Sequence, residues 1–404
     1  MLVKNVIIVK SDGLFQGDIR ICDGIVKDIS STLKSKKDEK IIDAKGKYLL
    51  PKLIDTNVRL LDDKLSKKNL DTLYQKAKKG GVGSFVLIDD FSPKIENATH
   101  LELLNTKVST NKDIDIILSV NSQNADAKLN NIATFLKNGA KVIYTRSDIN
   151  GNTLVRVMQY ANMKNVPVFC FAEDKDIKNC GVMNEGEVSF ELGLPGISKI
   201  TQISEVSKIV EFATFFDVKI LFQGLFTTKS LQILKAVKKT NKKVYTEVPI
   251  HNLILSDKEC DGFNTRAKLI SALQEESERK KLITFLQEGV IDIISSNHSP
   301  KSYIYKDVAF EDAKDGVDAL SLTLKLGYTY LVQKGIISFE ELTKLLFFNP
   351  AKLLYQDKKT VIEKGFQGGL ILFDPNYKEI INDESSLYHK KELYGNIEEL
   401  PKEI

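Results

Sequence analysis

Apolar and polar residues alternate with a period of two at the start of the chain, in LVKNVIIVK (2–10), GDIRICDG (17–24), IVKDIS (25–30) and KIIDAKGKYLL (40–50). Alternation broken by Asp-Gly turns predicts a small antiparallel layer, and a similar segment, GGLILFDP (368–375), returns near the other end. From residue 53 the rhythm changes to short apolar runs: LIDTNVR (53–59), SFVLID (84–89), IDIILSV (114–120), KVIYT (141–145), VPVFCFA (166–172), KILFQG (219–224), KVYTEVP (243–249) and IDIISSN (291–297). Helix-compatible sequence follows each, as in SKKNLDTLYQKAKKGG (66–81) and TTKSLQILKAVKK (227–239). Apolar strands alternating with helices predict an α/β fold with a parallel sheet covered on both faces. Eight such units over roughly 240 residues match a (β/α)8 barrel. The competing open doubly wound sheet is disfavoured by the even count and by the lack of GxGxxG after any strand. The expected division is a barrel over 51–355 and a small β domain built from 1–50 and 356–404. Functional side chains then belong at the C-terminal ends of the barrel strands.

Composition narrows the function. With 42% hydrophobic residues among 404, the chain has ample core material. No apolar run approaches the ~18 residues of a membrane span, and the N-terminus lacks a signal-peptide pattern. Cys22, Cys170, Cys180 and Cys260 form no CxxC pair and read as reduced thiols of a cytoplasmic protein. A net charge of +4, with arginine only at 20, 59, 146, 156, 266 and 279, gives no clustered basic surface for nucleic acid. The lysine runs KSKKDEK (34–40) and KKTNKK (238–243) read as solvated faces.

Chemistry is suggested by LLPKLIDTNVRLLDD (49–63) and a series of further phrases: FAED (171–174), LGLPGIS (192–198), TEVPIHNLILSD (246–257), FNTRAKL (263–269), EGVIDIISSNHSP (288–300), FEDAKDGVDAL (310–320) and NPAKLL (349–354). Taken in order with GGLILFDP, they resemble the dihydroorotase family of the amidohydrolase superfamily along nearly the whole chain. The resemblance implies a metal-dependent cyclic amidohydrolase of pyrimidine biosynthesis. In the family one or two zinc ions are held by HxH on strand one, Lys or Asp on strand four, His on strands five and six, and Asp on strand eight. Imidazole and carboxylate suit that role, because they bind zinc and leave a position for water activated near pH 7.

This sequence departs from the pattern at every ligand. Strand one offers Asn57 and Arg59, and strand four Thr145 or Arg146, depending on alignment by one residue. Strand five offers Phe171, strand six Gly224 and strand eight Asn297. Guanidinium cannot coordinate a cation, Phe and Gly bring no donor, and neutral Asn is a weak ligand. No bound metal or other cofactor is therefore expected. Among the four histidines (100, 251, 298 and 389), none is spaced as HxH or HxxxH. His251 and His298 lie near strand ends, with Glu173 and Asp174, as residual polar groups of the mouth.

Positions that grip substrate in the family have changed too: Leu61 replaces an arginine, Asp89 and Asp90 stand where an asparagine amide would serve, and Lys301 replaces a histidine. Ser295, Ser296 and Ser299 flank His298, but neighbours in sequence do not make a triad. Arg59 is expected either to replace the lost dication as a permanent charge, paired with Glu173, Asp174 or Asp90, or to have no role. A filled mouth is expected over an anion pocket of Lys301, Arg59 and His298. The resemblance then implies a non-catalytic homologue that serves as partner of aspartate carbamoyltransferase in a hetero-oligomer, with self-association a further possibility. Two readings stay open: an active hydrolase with an atypical site, and a stand-alone scaffold like the dihydropyrimidinase-related proteins. Neither nucleic acid nor membrane is an expected partner.

Overall fold

The computed structural model describes residues 1–109, 113–354, 362–367 and 369–400. Five strands open the chain: β1 (Leu2–Lys10), β2 (Gly13–Cys22), β3 (Ile25–Ser30), β4 (Ile41–Asp43) and β5 (Tyr48–Pro51). The β2–β3 hairpin turns on Asp23 and Gly24, both at positive φ (52° and 70°), as two-residue hairpins favour. The Asp-Gly signal therefore marks this turn.

One residue after β5 the chain enters the barrel. Its strands are β6 (Leu53–Val58), β7 (Val82–Leu87), β8 (Asp115–Asn121), β9 (Val142–Arg146), β10 (Val168–Phe171), β13 (Ile220–Gln223), β14 (Val244–Pro249) and β15 (Ile293–Ser295), separated after β10 by the short pair β11 (Met183–Asn184) and β12 (Gly196–Ile197). All eight run parallel, in the order β6-β7-β8-β9-β10-β13-β14-β15. The ring is closed by a parallel bridge between Val58 and His298: Arg59 N–H donates to the His298 carbonyl (2.7 Å) and His298 N–H to the Asn57 carbonyl (3.0 Å). The last strand is shorter than the expected 291–297 because Asn297 turns into the left-handed region (φ 44°), which asparagine tolerates better than most residues.

Burial follows the two sequence periods. The first helix after β6, Lys67–Lys79, buries Leu70, Leu73, Tyr74 and Ala77, and Ser66 caps it by accepting from Asn69 N. Inside the ring, Val86, Ile117, Tyr144, Phe169, Phe171 and Ile293 pack into a separate core, the layered filling of such barrels.

The C-terminal segment returns to the first layer. β16 (Leu370–Ile380) pairs antiparallel with β5, and β17 (Glu392–Glu399) pairs with β16, giving the order β17-β16-β5-β1-β2-β3 with β4 against β1. The segment 382–404 is rich in charged residues. Residues 392–399 form an edge strand, with Leu393 and Gly395 buried and Glu392 and Glu398 exposed. The expected boundary at 355–356 lies outside the described residues. No helix among the described residues is long and apolar enough to cross a membrane.

Candidate functional site at the barrel mouth

Residues two apart on a strand share a face, so Tyr144 and Arg146, Phe169 and Phe171, and Tyr245 and Glu247 project to the same side. Glu247 is the hub of the mouth. Its carboxylate is fully buried and accepts from Thr56 Oγ1 (2.5 Å), Asn57 Nδ2 (2.8 Å), Ser295 Oγ (2.9 Å) and Gly224 N (3.3 Å). Burial raises its pKa against the pull of those donors.

Asn57 carries the network outward: its Oδ1 accepts from Arg59 Nη1 at 2.6 Å. Arg59 then donates Nε to Asp90 Oδ2 at 2.5 Å and hydrogen-bonds the Tyr144 hydroxyl. Its side chain is only 4% exposed, against 27% for Asp90. Burial alone would lower the guanidinium pKa, but Asp90 and Tyr144 outweigh it and the pKa is raised. Of the three carboxylates offered as partner, Arg59 thus reaches Asp90. Beneath lies Asp55, which accepts from Asn57 N and Ser296 N (both 3.0 Å) and is pushed by burial to about 7.

The other positions that the family resemblance aligns with metal ligands are held mainly by contacts within the chain. Thr145 faces away from Tyr144 and Arg146 and pairs with Ser122 Oγ (2.8 Å), so Arg146 is the strand-four residue at the mouth. Its guanidinium lies over the Phe171 ring (5.3 Å to the centroid), donates to Asp148 and stands 3.7 Å from Glu173. Gly224 adopts φ +63°, and a Cβ there would fall 2.5 Å from Ser271 Oγ and 3.0 Å from the Phe171 ring. Asn297 has only a long contact from Nδ2 to Ser271 Oγ (3.5 Å), and its buried Oδ1 finds no protein donor. Among the described residues no three His, Cys, Asp or Glu side chains converge as a metal site would require.

The residual polar groups separate rather than meet. Lys178 pairs with Glu173 at 3.1 Å, and Asp174 caps the short helix Lys175–Lys178. Lys301 is held by both oxygens of Asp63 (2.7 and 2.6 Å), while Leu61 is half-buried in the one-turn helix Leu61–Asp63. Asp89 turns inward to accept from Asn121 N (2.9 Å) and is raised by burial to about 6. His298 Nδ1 accepts from the backbone of Ala319 (3.2 Å) and Leu320 (3.3 Å). His251 donates from Nε2 to the Ser296 carbonyl (2.9 Å), and its Nδ1 accepts from the Tyr388 hydroxyl (2.5 Å). That fixes its tautomer and ties the C-terminal segment to the barrel. Lys301, Arg59 and His298 are each engaged elsewhere, so they do not assemble the anion pocket considered from sequence.

Burial lowers the pKa of both His251 and His298 to about 4. The unfolded chain takes these protons near pH 6.5 and the folded chain only near 4, so each neutral ring stabilises the fold above that window and the gain is lost as pH falls through it. Asp55 acts oppositely: the folded state keeps its proton up to about 7, so its contribution fades as pH rises toward that value. Glutamine in place of His251 offers a donor and an acceptor without titrating. The stability gap between H251Q and the parent is expected to narrow by roughly 1.4 kcal/mol per pH unit between 6.5 and 4, read from urea midpoints. A gap independent of pH would refute the neutral-His account.

Reasoning from the sequence missed Glu247, Tyr144 and Ser271. The first two carried a signal, since period two puts Glu247 beside Tyr245 and Tyr144 beside Arg146 on the inner face. Ser271 lies in a loop and carried none.

A (β/α)8 barrel whose strand ends gather the polar side chains, flanked by a β layer from both termini, is the architecture of the amidohydrolase superfamily. Solved structures agree on the fold. L-hydantoinase (dihydropyrimidinase) from Arthrobacter aurescens superposes with a TM-score of 0.85 at 19% identity, covering 98% of this chain and 93% of its own. Dihydropyrimidinase from Brevibacillus agri gives 0.84 at 18%, with 99% and 93% covered. No family model matches the chain. Relatives in sequence include a dihydroorotase of Carboxydothermus hydrogenoformans, 31% identical over 391 residues (95% of this chain, 90% of that protein). A "Probable dihydroorotase-like protein" of Helicobacter pylori is 25% identical over 401 residues (99% and 96%). The chain belongs to the dihydroorotase family.

Proposed function

We propose that this chain is a non-catalytic member of the dihydroorotase family, retained as a barrel scaffold and acting as structural partner of an aspartate carbamoyltransferase. One observation carries the first half: the Arg59 guanidinium occupies the strand-one ligand position, locked between Asp90 and Asn57. A buried permanent cation there supplies the charge that a metal would otherwise bring, and it repels a second one. The residues at the mouth do not fit zinc. The Asn57 amide oxygen is consumed by Arg59, Gly224 has no room for a side chain, and Phe171 offers a ring. Without zinc there is no activated water, and with Leu61 and Asp90 in place of substrate-binding groups there is no grip on a carboxylate. A barrel so kept is useful for its surface. The family resemblance supplies the partner.

Two measurements test this reading. Purified protein dialysed against zinc is expected to hold well under one equivalent by elemental analysis and to leave dihydroorotate unhydrolysed. Co-expressed with the carbamoyltransferase of its own source, it is expected to co-purify in fixed stoichiometry. The relatives named dihydroorotase favour a rival, ring hydrolysis at an atypical site, and chelator-sensitive turnover would establish that instead.

A further inference from the structure

The two ends of the barrel expose apolar side chains in surroundings of opposite charge. At the mouth end, the segments 184–191, 257–268 and 303–308 follow strands β10, β14 and β15. They lie side by side. Asn184 Nδ2 donates to Asp257 Oδ2 (3.1 Å) between the first and second, and Lys306 Nζ donates to the Thr265 and Lys268 carbonyls (both 3.0 Å) between the third and second. Phe190 is 88% exposed on this rim, and Phe263, Tyr303 and Ile304 are exposed with it. Around them stand the exposed acids Glu185, Glu187, Glu191, Asp261 and Asp307, whereas Lys258 is the single exposed base of these segments.

At the opposite end, helices Gly151–Lys164, Ile200–Phe215 and Thr228–Val237 finish before β10, β13 and β14. Their ends are joined by hydrogen bonds from Asn162 Nδ2 to the Phe216 carbonyl (3.0 Å) and from Asn241 Nδ2 to Thr214 Oγ1 (3.2 Å). Phe215 is 83% exposed there, and Met163 is exposed as well. Lys164, Lys239 and Lys242 are exposed around them. Of the exposed acids at these helix ends, Asp217 is taken by Lys243 (2.7 Å), which leaves Glu211. Net charge is therefore positive at this end and negative at the mouth rim.

Grouped apolar side chains on a surface mark contact with another molecule, and Phe, Tyr and Met are enriched where proteins meet. The two ends complement each other in charge, but they face apart across the barrel and cannot meet within one chain. Pairing either end with its own copy would set like charges together, which is unfavourable. We infer that the chain self-associates head to tail, the mouth rim of one copy seating on the helix ends of the next. A contact between unlike faces does not close at two copies; it builds a ring or an open filament. The inference does not depend on whether the mouth is catalytic, so it stands or falls separately from the proposed function.

Sedimentation equilibrium of the full chain over a wide range of concentration tests the inference. The average mass is expected to rise past two copies, and association to weaken about tenfold from low to high salt. F190S/Y303S removes the apolar anchors of one face, and M163S/F215S those of the other. Each variant alone is expected to associate at least about tenfold more weakly than the parent. An equimolar mixture of the two, in which every chain keeps one intact face, is expected to form dimers and stop there. K239Q/K242Q is expected to flatten the salt dependence. Every substituted side chain is exposed, so thermal midpoints are expected to stay unchanged. A parent that remains monomeric or stops at two copies, or association that does not weaken with salt, would overturn the inference. So would an undiminished salt dependence in K239Q/K242Q, or a mixture no more associated than its components.

Discussion

Replacing Arg59 with alanine is expected to lower the unfolding free energy by about 3–5 kcal/mol, the cost of stripping one partner from a buried ion pair. The loss would not be confined to the 2.5 Å contact with Asp90. Arg59 also donates to Asn57 Oδ1, which holds the amide so that Nδ2 faces Glu247. Without that donor the amide is no longer oriented, and a buried carboxylate loses one of its four hydrogen bonds. Asp90 already has one buried oxygen without a protein donor, so it is poorly placed to find another. Lysine cannot replace the fork, because a single ammonium does not span Asp90, Asn57 and Tyr144 together; R59K is expected to recover less than half of the loss. The urea midpoints of R59A, D90A and the double variant give the coupling, expected at about 1–3 kcal/mol for groups in contact. Strict additivity would show that Arg59 is not the counter-ion of the mouth.

Histidine at Gly224 is the second large effect. Restoring the family's strand-six ligand places a Cβ 2.5 Å from Ser271 Oγ and 3.0 Å from Phe171, on a backbone at φ +63°. The left-handed conformation costs a non-glycine residue about 1–2 kcal/mol and overpacking about 1–3 kcal/mol more. G224H is therefore expected to lose roughly 2–5 kcal/mol and to gain no zinc. Adding S271A should return part of the stability by removing the closer contact. A G224H variant as stable as the parent, or one that binds zinc, would mean that the mouth is not closed by packing. Phe171 and Ser271 fill the space above Gly224, and the Arg59 guanidinium fills the space between Asp90 and Asn57.

Much of this was legible in the residues. The runs at 53–59, 166–172, 219–224 and 243–249 lie within a residue or two of β6, β10, β13 and β14, because strands buried on both faces are apolar along their length. The substitutions at 57, 59, 171, 224 and 297 were equally plain, since residue identity is read directly. Which carboxylate meets Arg59 was not legible: Asp90, Glu173 and Asp174 all stand at strand ends, and only the rotation of each side chain selects one. The choice between Thr145 and Arg146 could have been made from alternation with Tyr144, a signal that an alignment ambiguity concealed. The final strand was hidden by its charge, as an edge strand with one covered face reads like a solvated tail.

By itself, the sequence determined the order of strands and helices, the parallel character of the main sheet and the lack of imidazole at the four positions where the family resemblance expects histidine, 57, 59, 171 and 224. Each of these is written within a few consecutive residues, through the period of burial or the residue type. Tertiary structure alone decided that Thr56 meets Glu247 across 191 residues and His251 meets Tyr388 across 137. Such contacts exist only once the ring closes between Val58 and His298 and the C-terminal segment folds back. Burial in that closed ring, where an unpaired polar group is costly, then fixes which donor must meet which acceptor.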